Sequence, residues 1–353
     1  MDVHQATEEY ETWLRAETPV LERDLKKKHR EMRRHPFGFL RATFYRWAQL
    51  FPDVCGSLLR GPQVLSVGDL HVENFGTWRD PEGRLIWGVN DFDEAYWLPM
   101  ANDLVRLAVS ADLAKGIGVD RREIAQSIFS GYHHTLELGG RPYVLSERHV
   151  EMRTLAMARL KDPEKYWRKL CGWPEVKGKV PAGARKGIEA LMPARDLPLQ
   201  IVHRQAGLGS LGRERFTAIA DWAGGKVARE AKALVPSAWG WAAGGKTPRR
   251  RLHAEILDGA VRSPDPFLML QGRWVIRRLA PDCSRIELGS LPRGQDQRRL
   301  LKAMGGETAN VHLGSAKAHI LLRYVRKLSG SWLERASTEM ASAVREDWKS
   351  WRR

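Results

Sequence analysis

Two short apolar runs, Val64-Leu65-Ser66-Val67 and Leu85-Ile86-Trp87-Gly88-Val89, stand on either side of a polar stretch. Each has the length and apolar content of a buried strand, and the turn Asp80-Pro81-Glu82-Gly83 precedes the second. A chain built this way must hold the loop Gly68–Gly76 between two strands. That loop carries Asp69, His71, Glu73 and Asn74.

Around this segment the pattern is helical. Residues 4–33 place apolar positions at helical spacing among Glu, Arg and Lys; Pro36 interrupts, and a second run continues from Phe37 to Leu50. Helices are also expected from Asn102 onward, over 120–138 and over 147–160. Prolines then gather between 161 and 199 (Pro163, Pro174, Pro181, Pro193, Pro198), which marks a connection between compact units. Residues 201–234 read as a hairpin followed by a strand, 248–261 as a helix and 266–288 as three strands. The remainder, 295–352, reads as helix with breaks at Gly305-Gly306 and Ser329-Gly330. The fold class is therefore α+β.

Composition narrows the function. An apolar fraction of 43% over 353 residues suffices for a large core. No run approaches the roughly 20 apolar residues of a membrane span, and the first residues are acidic where a signal peptide is basic and then apolar, so a cytoplasmic location and no membrane partner are expected. Three scattered cysteines suggest neither disulfides nor a cysteine-rich zinc site. The net charge of +16 favours phosphate-bearing partners, from nucleotides to nucleic acid, although runs such as Lys26, Lys27, Lys28, Arg30, Arg33 and Arg34 read first as a solvated basic face. Fourteen tryptophans are scattered and form no base-stacking platform.

Three acidic clusters carry the chemistry: Gly68-Asp69-Leu70-His71-Val72-Glu73-Asn74, Asn90-Asp91-Phe92-Asp93-Glu94 and Asn102-Asp103-Leu104-Val105-Arg106. Phosphoryl transfer needs a carboxylate to orient an acceptor hydroxyl and oxygen ligands for Mg²⁺. An Asp and an Asn five positions apart, with another Asp after the next strand, supply that set. A hydrolytic metal site on Asp69, His71, Glu73 and Asp91 is the alternative, though it lacks a histidine cluster.

These clusters resemble the catalytic segment of the aminoglycoside-phosphotransferase and choline-kinase branch of the protein-kinase-like superfamily, H-G-D-x-H-x-x-N followed by I-D-F-D. The resemblance implies Asp69 as catalytic Asp, Asn74 and Asp91 as magnesium ligands, Asp103 as the brace of the loop and His71 as its shape-holder. Val67 replaces the histidine that usually precedes Gly-Asp, and Asp93 adds a second carboxylate that can share the metal.

Gly207-Leu208-Gly209-Ser210-Leu211-Gly212 lies between two strand-like runs. It therefore reads as a hairpin turn whose amides cover phosphates, rather than as a Rossmann turn leading into a helix. The resemblance then implies Lys232 as the phosphate-binding lysine, with Lys226 as competitor, Glu255 as its partner, and a base site near Arg278–Pro281. Arg41 is a candidate for substrate or phosphate, and His312 is similar to a residue that packs under the catalytic loop.

The order of parts, catalytic loop before glycine turn, is similar to an uncharacterised bacterial family catalogued as a domain of unknown function. It implies a circularly permuted two-lobed kinase-like fold. In that fold 1–160 form the catalytic lobe, 161–199 a connection, 200–292 the nucleotide lobe, and 293–353 helices returning to the first lobe. The expected activity is transfer of the γ-phosphoryl group of ATP, with Mg²⁺, to a hydroxyl of a small molecule. AMP transfer to a protein on the same fold, or a non-catalytic nucleotide- or nucleic-acid-binding role, are the alternatives.

Overall fold

The computed structural model describes residues 1–157, 162–244, 252–283, 285–291 and 294–353. It is a mixed α and β chain with three antiparallel sheets. In chain order the strands are β1 (Gln63–Ser66), β2 (Phe75–Arg79), β3 (Leu85–Val89), β4 (Tyr96–Pro99), β5 (Tyr143–Val144), β6 (Gln200–Val202), β7 (Arg215–Trp222), β8 (Gly225–Ala233), β9 (Met269–Gln271) and β10 (Trp274–Leu279).

The two runs that frame the polar loop are strands, yet they do not pair with each other. β1 pairs with β4, Val64 opposite Leu98, while β3 pairs with β2, Trp87 opposite Thr77. β2 was absent from the expectation because Phe75-Gly76-Thr77-Trp78-Arg79 is buried on both faces and shows no alternation. As a result the Gly68–Asn74 loop joins two different sheets.

The 4–33 run divides into helices Val3–Glu17 and Glu22–Arg34 at Thr18-Pro19, where extended backbone ends the first. Helix Gln295–His312 runs straight through Gly305-Gly306, contrary to the expected break. Those glycines let it cross helix Arg121–Glu137 at backbone contact. A Cβ on Gly305 would stand 1.9 Å from the Ile128 carbonyl oxygen, and one on Gly131 would stand 1.8 Å from that of Lys302. The last helix, Trp332–Arg352, packs on helix Ala101–Leu113, so the chain's end lies against its first half.

The second half is organised by the sheet β6-β7-β8-β10-β9. The proline-rich connection proves to be partly its cover. Helix Ala182–Leu191 lays Ala184 and Ile188 on Ala231, Trp274 and Ile276, and a Cβ on Gly187 would press the Ile276 side chain at 2.7 Å. Of the expected helix 248–261, residues 252–259 are helical and 248–251 lie outside the described residues; so do 158–160 of the expected helix 147–160. Among the described residues of 266–288 only β9 and β10 form, without a third strand. The apolar clusters of this sheet are separate from the main helical core. One pocket is lined by residues of both halves of the chain, Asp69 and Asp91 from the first and Gly209 and Arg213 from the second. No helix among the described residues is long and apolar enough to cross a membrane.

Candidate functional site

The loop after β1 is held from beneath. Gly68 takes φ +78°, and a Cβ there would meet the Glu94 carbonyl oxygen at 2.3 Å, so only glycine fits. The Asp103 carboxylate accepts the Val67 and Gly68 amides at 2.8 and 3.0 Å. His312 donates from Nε2 to Asp103 at 3.1 Å and takes the Tyr132 hydroxyl on Nδ1 at 2.9 Å. All of these groups are buried.

Asp69 projects from this braced loop onto Arg106, a fully buried arginine that also donates to the Leu40 carbonyl at 2.9 Å. Burial pushes the Asp69 carboxyl up to about 6 although Arg106 pulls it down. Its proton affinity thus sits near the working range of a group that accepts a hydrogen bond from a hydroxyl. His71 accepts the Glu73 amide on Nδ1 at 3.2 Å and meets the Phe37 ring edge-on. Burial, then Arg41 and Arg106, hold it well below the ordinary imidazole value, so it is neutral.

Asn74 joins two loops, its Nδ2 donating to the backbone carbonyls of Asp91 at 3.0 Å and Asp69 at 3.4 Å. Its Oδ1 is buried without a hydrogen-bond partner. Beside it, Lys232 Nζ lies 3.1 Å from both Asp91 carboxylate oxygens and 2.8 Å from Asp93 Oδ1. Burial works to raise Asp91, but Lys232 holds it well below the carboxylate range; burial and the Asp91 charge push Asp93 up. Among the described residues no three His, Cys, Asp or Glu side chains form a metal cage. The orphaned Asn74 oxygen with the two carboxylates nevertheless makes a hard-oxygen set that fits Mg²⁺, which keeps few protein ligands and takes the rest from phosphate and water.

The glycine turn arrives from the other half of the chain. Gly207 and Gly212 take φ +74° and +100°. Gly209 packs on the Gly68–Asn74 loop and the end of helix Pro36–Ala42, where a Cβ would lie 3.4 Å from Asp69 Oδ2 and 3.0 Å from the Arg41 carbonyl oxygen. Ser210 Oγ accepts from Arg215 at 2.8 Å. The pocket bounded by Asp69, Asn74, Asp91, Asp93, Gly209 and Lys28 has a volume of about 60 Å³, room for a few waters. Helix Glu22–Arg34 holds the turn down: Leu21 N donates to Gly212 O at 2.8 Å, Lys27 to Gln205 at 2.8 Å, and Asp24 meets His203 at 2.8 Å.

One expectation is kept and one changes. Lys226 is an exposed-strand lysine paired with Asp221, so Lys232, 3% exposed, is the lysine in the site. Glu255 is not its partner: it lies on the exposed side of helix Leu252–Gly259, whose buried face carries Leu252, His253 and Ile256, and the ion pairs of Lys232 go to Asp91 and Asp93. Arg41 is held by Glu73 at 2.7 Å and lines the pocket.

The sequence reading missed several groups. Lys28, assigned to a solvated face, is buried over Tyr10 and Tyr45, donates toward Gly209 O at 3.4 Å, and is pushed down to about 8 by burial. Its helical spacing with Leu25 and Met32, both buried, was the available signal. Glu230, two residues before Lys232 and so on the same strand face, binds Arg204, Arg215 and Arg277.

A larger cleft of about 510 Å³ adjoins the turn at Gly207 and runs under Leu279 and Ala280, where a base site was expected. Its lining combines apolar groups, among them Trp78, Tyr166, Leu268, Leu279 and Ala280, with five arginines.

Residues 20–172 match the profile of a family described as an uncharacterized protein conserved in bacteria (DUF2252). The matched stretch carries all three acidic clusters and ends before the glycine turn. No curated protein and no solved structure matches the chain.

Proposed function

We propose that the protein is an ATP- and Mg²⁺-dependent phosphotransferase with a permuted, two-lobed kinase-like fold, acting on a hydroxyl of a small-molecule acceptor. The observation that carries this reading is the meeting of distant parts. Gly209 comes from one half of the chain and Asp69 from the other, with Lys232 3.1 Å from Asp91. The sheet supports it too, since the glycine turn joins its first two strands and the lysine stands on its third, the place a kinase gives its phosphate-binding lysine.

Asp69 accepts the hydrogen bond of the acceptor hydroxyl and, as the oxygen attacks, its proton; Arg106 fixes the carboxylate so that the second oxygen faces the pocket. Asn74, Asp91 and Asp93 would hold the magnesium ion, which when bound offsets the charge of the transferred group. Lys232 and the amides of Gly207–Ser210 position the phosphates, so rate comes from positioning and charge neutralisation. Asp69→Asn and Asp91→Asn are expected to lower Mg²⁺-dependent ADP formation at least about a hundredfold, as loss of a positioned acid–base group does, with unchanged circular dichroism. Wild-type turnover in a folded Asp69→Asn protein overturns the assignment.

A further inference from the structure

The cleft beside the glycine turn is charged in a way that a nucleoside base does not require. Ligand pockets for rings are mainly apolar with few polar groups. This one is lined by five arginines, at 204, 262, 277, 278 and 285, against two carboxylates, Asp265 and Glu287.

The pairing around it is equally uneven. Arg204, Arg215 and Arg277 share the single buried carboxylate of Glu230, at 2.6, 2.6 and 2.9 Å. Arg41 and Arg285 share Glu73, at 2.7 and 3.3 Å. Three of these five, Arg204, Arg277 and Arg285, line the cleft and share their carboxylates with Arg215 and Arg41 outside it, while Arg278 pairs with Asp282 at 3.2 Å. Removing such groups from water without equal opposite charge is unfavourable, and a bound anion corrects it. The arginines are reachable: Arg204 and Arg277 keep 20% and 25% of their side chains exposed toward the cleft, and planar guanidinium forks match phosphate oxygens in pairs.

We infer that this cleft is a phosphate-binding site separate from the acidic pocket, anchored by Arg204 and Arg277 with Arg278 at its rim. The inference rests on the phosphotransferase reading only for what occupies the neighbouring pocket. The phosphate has two possible sources of the same chemistry. One is the end of a nucleotide lying with its β- and γ-phosphates in the cleft, in which case the reaction is AMP transfer in place of γ-phosphoryl transfer: Asp69 takes the hydroxyl proton, the acceptor oxygen bonds to the α-phosphorus, the bond from that phosphorus to the α–β bridging oxygen breaks, and pyrophosphate leaves. The other is a phosphate group on the acceptor molecule itself.

Inorganic pyrophosphate is the probe, because it has no base. Titration calorimetry on the full chain at two salt concentrations should show saturable binding that weakens with salt. Arg204→Gln and Arg278→Gln, made separately, should each weaken it about tenfold or more, and Lys232→Met much less. Arg204→Gln leaves two arginines on Glu230, and Arg278 is at the rim, so the fold is kept. Displacement of pyrophosphate by ATP identifies the nucleotide as the source; simultaneous binding identifies a phosphorylated acceptor. No pyrophosphate binding, or binding abolished by Lys232→Met and untouched by both arginine variants, overturns the inference, whatever the outcome of the Asp69 experiment.

Discussion

Replacing Asp103 by alanine removes one carboxylate and strands several donors. The Val67 and Gly68 amides, at 2.8 and 3.0 Å, lose their acceptor, as does His312 Nε2 at 3.1 Å, in a region where Asp103 and His312 are 0% exposed. Each buried donor left without a partner costs roughly 1–3 kcal/mol. A water admitted into the vacated space recovers some of this, so the loss should be about 3–5 kcal/mol, a large part of the 5–15 kcal/mol typical of a domain. Asparagine keeps one acceptor oxygen but turns an NH₂ group toward the other amide, and should fall between. Urea unfolding at pH 7 measures both, and amide exchange over Gly68–Asn74 should accelerate in each. An alanine variant within about 0.5 kcal/mol of the wild type would show that the loop does not depend on this carboxylate.

Burial pushes Glu307 from 4.5 to about 7, while Val89 N and Asn310 donate to it at 3.2 and 3.1 Å. A raised folded value means its contribution is fully present below 4.5 and lost as pH rises through 7, about 3 kcal/mol in all. Glu307→Gln should remove that dependence, so the difference in urea midpoint between variant and wild type must change between pH 5 and 8; a constant difference refutes it. Gly131→Ala drives a methyl into the Lys302 carbonyl at the helix crossing and should cost about 1–3 kcal/mol or more, read as a lower melting temperature. An unchanged melting temperature would mean that the two helices separate freely.

What could be read from the sequence was local. The Gly68–Asn74 loop, Asp91 and Asp103 lie within one short segment, and it was the resemblance of that segment to a kinase-like motif that suggested roles for them. The glycine turn was legible because a strand-like run followed it. Lys28 and the Glu230 cluster were not, because their meaning depends on partners nearly two hundred residues away for Lys28 and Gly209, and on β7, β8 and β10 standing side by side for Glu230. Arg106 was quoted within a motif without a role; only the fold points it at Asp69. Gly305 and Gly306 were misread because a helix break and a close helix crossing call for the same residue, and only the neighbouring Ile128 backbone distinguishes them.

The tether between helix Glu22–Arg34 and the glycine turn makes these two elements a single mechanical part. On the phosphotransferase reading, a triphosphate placed beneath Gly209 would strain the contacts that residues 21–27 make with Gly212, Gln205 and His203. On that same reading, a ligand held on the exposed side of residues 22–34 would act on the pocket through these contacts and not through Asp69 or Lys232.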